Sequence, residues 1–226
     1  FTAVNNLNLH VKAGDFFGFL GQNGAGKTTT IKMISGLYNA TSGSILINGY
    51  DIYKDPIKAK SLIGYIPDQP FIYEKLTGRE FLFFSGGLYS IEKKKLKKII
   101  DETIDELKIE HWVDKRTEEY SQGMKQRIAI ASGLLHSPKL LVVDEPMIGL
   151  DPQSTLVVKN VLKKKASEGV AIFMSTHSLN VAEEICSRIG IIKDGQMIFE
   201  DNKIVVEQII GTDHQDLESL FLHLTK

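Results

Sequence analysis

The chain has 226 residues, 42% hydrophobic and 24% charged, enough to bury a sizeable core and too apolar for a disordered segment. Lys plus Arg number 27 against 28 Asp plus Glu, and the net charge of −1 excludes the global basic field of a dedicated nucleic-acid binder. No apolar run approaches the ~18 residues of a membrane span. The one cysteine, Cys186, has no partner for an intramolecular disulfide and reads as a small core residue, and with no signal-like start the expected compartment is the cytoplasm.

In chain order, Val4, Leu7, Leu9 and Val11 partly alternate with polar residues and predict strand over residues 1 to 12, before the turn Ala13-Gly14-Asp15 and the apolar run Phe16 to Leu20. Helical periodicity begins near Gly26 and continues through Ile31, Ile34 and Leu37. Ser44 to Ile47, closed by Asn48-Gly49, reads as an antiparallel addition to the main sheet. Ile63 to Ile66 is a further strand, ended by Pro67-Asp68-Gln69-Pro70. From Thr77 to about Lys108 apolar residues recur at helical spacing, a helical insertion. Its lysines, Lys93, Lys94, Lys95, Lys97 and Lys98, flank the apolar stripe and precede acidic residues, so they read as a solvated face rather than a nucleic-acid patch. Ser121 caps a second helix reaching Leu135. Leu140 to Val143 and Val170 to Met174 are apolar strands ending in Asp144-Glu145 and Ser175-Thr176-His177. A short helix to about Ser187, strands at Ile189 to Ile192 and Met197 to Phe199, and two short helices complete the chain, the last without evident chemistry. Apolar strands alternating with helices predict a parallel sheet covered on both faces, with ligands gathered beyond the strands' carboxyl ends.

Gly21-Gln22-Asn23-Gly24-Ala25-Gly26-Lys27-Thr28-Thr29 fits G-x-x-x-x-G-K-S/T between a strand and a helix. Such a turn leaves backbone N–H groups converging on one point, where the helix dipole also favours negative charge, so a polyphosphate fits. Lys27 would reach the β- and γ-phosphates and the Thr28 hydroxyl would ligate Mg²⁺. A Gly-rich turn with an incidental lysine is the plain alternative. A strand that delivers Asp144 and then Glu145 points two carboxylates in different directions, one toward Mg²⁺ and one toward an attacking water.

Tyr120-Ser121-Gln122-Gly123-Met124-Lys125-Gln126-Arg127 resembles the signature motif of ABC ATPases. Ser121, Gly123, Gln126 and Arg127 match the family form, Leu-Ser-Gly-Gly-Gln followed closely by Gln-Arg; Tyr120, Gln122 and Met124 depart from it. Gly149-Leu150-Asp151-Pro152 is similar to the family's D-loop, and Thr176-His177 resembles its switch histidine. The resemblance, from about Phe1 to Glu200, implies an α/β P-loop NTPase fold with a mainly parallel core sheet, an antiparallel β subdomain and a helical subdomain. It implies one domain over 1-226, the helical subdomain at about 72-137 and a helical tail at 202-226.

By the same resemblance ATP and Mg²⁺ lie between two head-to-tail subunits, the second a copy of this chain or a homologous ATPase subunit. Asn23, Gly24, Ala25, Gly26, Lys27, Thr28 and Thr29 bind the nucleotide, Glu145 is the base or water orienter, and His177 contacts the γ-phosphate. Ser121 and Gly123 come from the other copy, and Asp151 couples the sites. The Mg²⁺ set is Thr28, Asp144 and the residue that senses ion and water after β-strand Ile63 to Ile66. Spacing favours Asp68 for that residue and side-chain chemistry favours Gln69. The aromatic residue that stacks on adenine in the family falls just before Phe1.

The segment Pro67 to Glu80 is similar to exporter-type subunits of the drug, antibiotic and ABC-2 kind. The implied function is an ATPase driving dimer closure, coupled to transmembrane permease subunits on the cytoplasmic face of the membrane, with no nucleic acid expected. Phe71, Tyr73, Phe81 and Phe84 offer a surface for the permease or are ordinary core aromatics. A soluble ABC ATPase of translation or repair, and a non-hydrolysing regulator, are the other classes.

Overall fold

Short apolar runs bounded by turns form the strands, and the longer periodic stretches form the helices that cover them. The computed structural model describes residues 1–213 and 216–225. Strand β1 is Phe16–Leu20 and the glycine loop joins it to helix α1, Lys27–Ile34. A hairpin follows, β2 at Leu46–Ile47 and β3 at Tyr50–Asp51. Helix α2, Pro56–Ser61, starts on a proline, where the missing N–H would have had no intrahelical partner. Next come β4 (Ile63–Ile66), α3 (Gly78–Leu88), α4 (Lys93–Leu107) and α5 (Gln122–Leu134). Strand β5 (Leu140–Asp144), α6 (Pro152–Ser167), β6 (Ala171–Ser175) and α7 (Leu179–Ile185) lead to β7 (Arg188–Lys193), β8 (Gln196–Asn202), α8 (Lys203–Asp213) and α9 (Leu217–Thr225). Among the described residues no helix is long and apolar enough to cross a membrane.

The six-stranded sheet runs β4-β5-β6-β1-β7-β8, with only β7 and β8 antiparallel. Alternation along β1 sends Phe16 and Leu20 to one face, with Leu141, Val143 and Met174, and Phe17 and Phe19 to the other, with Val142, Phe173 and Ile31. Phe17 stacks on Phe173 at 5.6 Å. Both faces are covered, which is why these strands read as unbroken apolar runs. A Cβ on Gly18 would lie 2.7 Å from Cys186 Sγ, so this glycine lets the end of α7 approach β1. Cys186 is buried there as expected, and burial pushes its thiol up to about 12. Ser175 pairs in register with both Asp144 and Phe19, so β1, β5 and β6 end level and their following loops start side by side.

Several local expectations change. Residues 1 to 12 form no strand; Leu7, Leu9 and Val11 pack on the cluster around Phe17 and Phe19, and Asn5 donates its N–H to Gly195 at 2.8 Å. Alternation reported one apolar face and not a ladder partner. Strands β2 and β3 pair only with each other and do not extend the main sheet. The stretch from Thr77 to Lys108 is two helices, broken where Ser90 takes φ 56°. Thr77 and Glu80 form a reciprocal capping box at the start of α3. Helix α4 presents its five lysines to solvent, as its stripe predicted. Phe81 is buried, so the aromatic surface reduces to Phe71, Tyr73 and Phe84, with edge contacts of 5.6 Å and 5.2 Å through Tyr73. Strand β8 runs to Asn202, and residues 214, 215 and 226 of the expected tail lie outside the described residues.

Candidate functional site

The loop after β1 is held open by glycines. Gly24 and Gly26 have φ of 83° and 109°, and a Cβ on Gly26 would lie 2.7 Å from Ala3 O. Gly26 is the N-cap of α1 and the helix start has no side-chain cap, so its N–H groups are left for a ligand. Lys27 Nζ donates to its own loop, to Gly21 O at 2.6 Å and Gln22 O at 3.0 Å. Burial lowers its pKa, opposed by Glu145 and Asp144. A folded-back ammonium above an uncapped helix start fits a polyphosphate, which would take over both sets of donors.

Asp144 ends β5 at 4% exposure and accepts a hydrogen bond from Ser175 Oγ. Burial raises its pKa against that bond, and Asp68 and Glu145 add to the rise while Lys27 opposes it. Glu145 follows with φ 49°, an unusual conformation for this residue, fixed by its N–H donating to Ser175 O at 3.1 Å. Its carboxylate lies 2.8 Å from His177 Nδ1 and accepts from Thr176 Oγ1 at 3.2 Å. A cleft of ≈ 740 Å³ is lined by Asn23, Gly24, Gly26, Lys27, Thr28 and Thr29 together with Asp68, Asp144, Glu145 and His177. Ala25 is buried beneath the loop, its N–H donating to Gln22 O at 3.1 Å.

Asp68 reaches this cleft and Gln69 is not among its lining residues. Among the described residues no three His, Cys, Asp or Glu side chains are arranged to hold a metal ion by themselves. The Thr28 hydroxyl and the Asp68 and Asp144 carboxylates do line the cleft beside the glycine loop, an oxygen donor set that with phosphate oxygens suits Mg²⁺. Phe1 also lines the cleft, beside Ala3.

Ser121, Gly123 and Asp151 lie outside the cleft. Ser121 caps α5 by accepting from Met124 N–H at 3.3 Å, and Asp151 caps α6 by accepting from Ser154 N–H at 2.9 Å. The two turns touch: a Cβ on Gly123 would lie 2.8 Å from Gly149 O, and one on Gly149 2.7 Å from Gln122 Cγ. Tyr120, which departs from the family's leucine, donates its hydroxyl to Trp112 O at 3.0 Å and Val113 O at 3.1 Å and meets the Trp112 ring edge-on. Gln126 is buried at 1% exposure with both amide atoms unpartnered. Ser175 and Thr176 hold the two carboxylates, a role legible only once β5 and β6 are known to be neighbours. Ile148, Leu179 and Phe221 line the cleft without any signal in the sequence having singled them out.

A family model described as "ABC transporter" matches residues 4–148. The linearmycin resistance ATP-binding protein LnrL of Bacillus subtilis is 39% identical over 212 residues, 94% of this chain and 68% of the relative. The bacitracin transport ATP-binding protein BcrA of Bacillus licheniformis is 41% identical over 199 residues, 88% of this chain and 64% of that protein. A solved ATP-binding subunit of an ABC transporter superposes with a TM-score of 0.91 at 30% identity, covering 99% of this chain and 93% of its own. A dimeric ATP-binding cassette in a post-hydrolysis state bound to ADP and Pi superposes at 0.81 with 26% identity, covering 89% and 90%.

Proposed function

The chain belongs to the ABC transporter family, as an ATP-binding domain with ATPase chemistry, and on that premise we propose that it powers export through a membrane permease by closing on a second copy or a homologous subunit. The chain spans about two thirds of the length of the two bacterial relatives, whose names describe resistance and transport, and those names favour export. The permease, not this chain, would carry substrate specificity. Phe71, Tyr73 and Phe84 are the surface we assign to it, on a helical subdomain at about 72-137 of a single 1-226 domain, at the cytoplasmic face of the membrane.

The observation that carries the reading is the division of the motifs. The glycine loop, Asp144, Glu145 and His177 share one cleft, and Ser121 and Gly123 lie outside it, where a partner's cleft can be met. Bound Mg²⁺ would offset phosphate charge as it develops during transfer. Lys27 exchanges its bonds to Gly21 O and Gln22 O for the β- and γ-phosphates. Thr28 and Asp144 would hold the ion together with Asp68, and Gln69 remains the alternative to Asp68 on chemistry. Glu145 orients the attacking water and takes up its proton, while His177, bonded to Glu145 at 2.8 Å, fixes that carboxylate and meets the γ-phosphate. Ser121 and Gly123 grip the same phosphate from the partner, and Asp151, next to that turn, links the two sites.

Glu145→Gln is the test. It keeps the hydrogen-bonding shape and removes the base, so ATP turnover is lost and an ATP-bound dimer accumulates in size-exclusion chromatography. Wild-type turnover by this variant would remove the catalytic assignment.

A further inference from the structure

The tail after β8 showed no chemistry in the sequence, yet α9 reaches the cleft. Leu217 and Leu220 are buried in the main core cluster, and Asp216 accepts from Ser219 N–H at 2.8 Å at the helix start, so α9 is anchored. It packs on α7, which begins at Leu179, two residues after His177. Phe221 lines the cleft with Leu179 and Ile148, and Ile148 follows Glu145 by three residues. The apolar lining of the cleft therefore draws on the loop that carries Glu145, on the start of α7 just after His177, and on a side chain from the far end of the chain.

We propose that Phe221 is a positioning residue for hydrolysis: carried on α9, which packs on α7, it holds the His177 turn so that the Glu145–His177 contact is kept. This rests on the catalytic reading of Glu145. The His177 side chain is 64% exposed, so water competes for its end of the hydrogen bond to the largely buried Glu145. Glu145 itself sits at φ 49°, a conformation that persists only when its surroundings hold it. Lining the same cleft from the helix packed on α7, Phe221 limits the movement of the turn that carries His177. The backbone N–H groups and the lysine of the phosphate cradle come from the β1–α1 loop and the start of α1, not from α9.

The two functions therefore separate in a measurement. In the full chain, Phe221→Ala lowers kcat by about tenfold, the scale expected when a reacting group is displaced by a fraction of an ångström. Affinity for a fluorescent ATP analogue stays within about twofold of wild type, because the binding loop is untouched. Phe221→Leu restores most of the rate, since it refills the edge. Leu179→Ala gives a similar loss, and the double variant loses little more than either single one, as expected for two residues that hold the same turn. Wild-type kcat in Phe221→Ala, a loss carried by nucleotide affinity, no rescue by leucine, or additive single losses would each overturn the proposal. Full turnover by Phe221→Ala beside an inert Glu145→Gln defeats this proposal alone. Turnover by Glu145→Gln defeats the catalytic assignment beneath it.

Discussion

Replacing Tyr120 by phenylalanine removes one oxygen atom from the turn that precedes Ser121. That hydroxyl donates to Trp112 O at 3.0 Å and Val113 O at 3.1 Å in a site 6% exposed. Water does not readily replace it, so the variant gives up a buried hydrogen bond and leaves carbonyl oxygens under-satisfied, a loss of about 1–2 kcal/mol. For a chain of this size that is a melting temperature lower by roughly 3–6 °C. The edge-on contact with Trp112 at 4.9 Å survives in phenylalanine and is lost in leucine, the family's residue, so Tyr120→Leu destabilises further, by about 0.5–1.5 kcal/mol. The capping bond that Met124 N–H donates to Ser121 Oγ does not involve the Tyr120 hydroxyl, so ATP turnover well below the melting point stays near wild type. Thermal unfolding followed by circular dichroism measures the shift, and the difference between the two proteins does not change from neutral pH to about pH 9, because the phenol ionises at about 10 in the unfolded chain and burial pushes it up to about 12 in the fold. A Tyr120→Phe protein that melts with wild type, or a leucine variant more stable than the phenylalanine one, would refute the argument that this departure is repaired by its own hydrogen bonds.

Asp68 lines the cleft and Gln69 does not, so Asp68→Ala reduces ATP turnover by about tenfold or more, as loss of an ion-positioning group does, and Gln69→Ala has a small effect. The reverse order in steady-state rates transfers the role to Gln69. Asp144→Asn trades function for stability. Burial raises the folded pKa of Asp144, and Asp68 and Glu145 raise it further against Ser175 and Lys27, so the native state holds that proton more tightly than the unfolded chain. Its ionisation therefore opposes folding at neutral pH, and the penalty disappears as pH falls through the raised pKa, above the ordinary value of about 4. Asp144→Asn melts higher than wild type at pH 8, the gap closes on acidification, and turnover is lost. A gap that does not vary with pH would show that the charge is not its source.

The motifs were legible because each depends on local chemistry. The φ values of Gly24 and Gly26 need glycine, Ser121 and Asp151 cap helices with their own side chains, and four large apolar residues around Gly18 in β1 announce a strand buried on both faces. The division of labour among motifs was legible only through resemblance, since no spacing says that Ser121 and Gly123 stand apart from Lys27. Misreadings fell where an apolar pattern had to name its partner. Leu7, Leu9 and Val11 alternate as a strand does and pack on the core, yet they join no ladder, and β2 and β3 pair with each other although β4 and β8 are the edges of the main sheet.

By itself the sequence determined that a phosphate loop, a carboxylate pair and a capped signature turn exist, because glycine freedom, strand burial and capping act over a few residues. Tertiary structure decided which of these meet. The order β5-β6-β1 sets Ser175 level with Asp144 and Phe19, which gives both carboxylates their hydrogen bonds and brings His177 to Glu145. The same packing chose Asp68 over Gln69 for the cleft and brought Phe221 to its edge. Those choices turn on strand order and helix docking, contacts between residues far apart in the chain, and no local pattern encodes them.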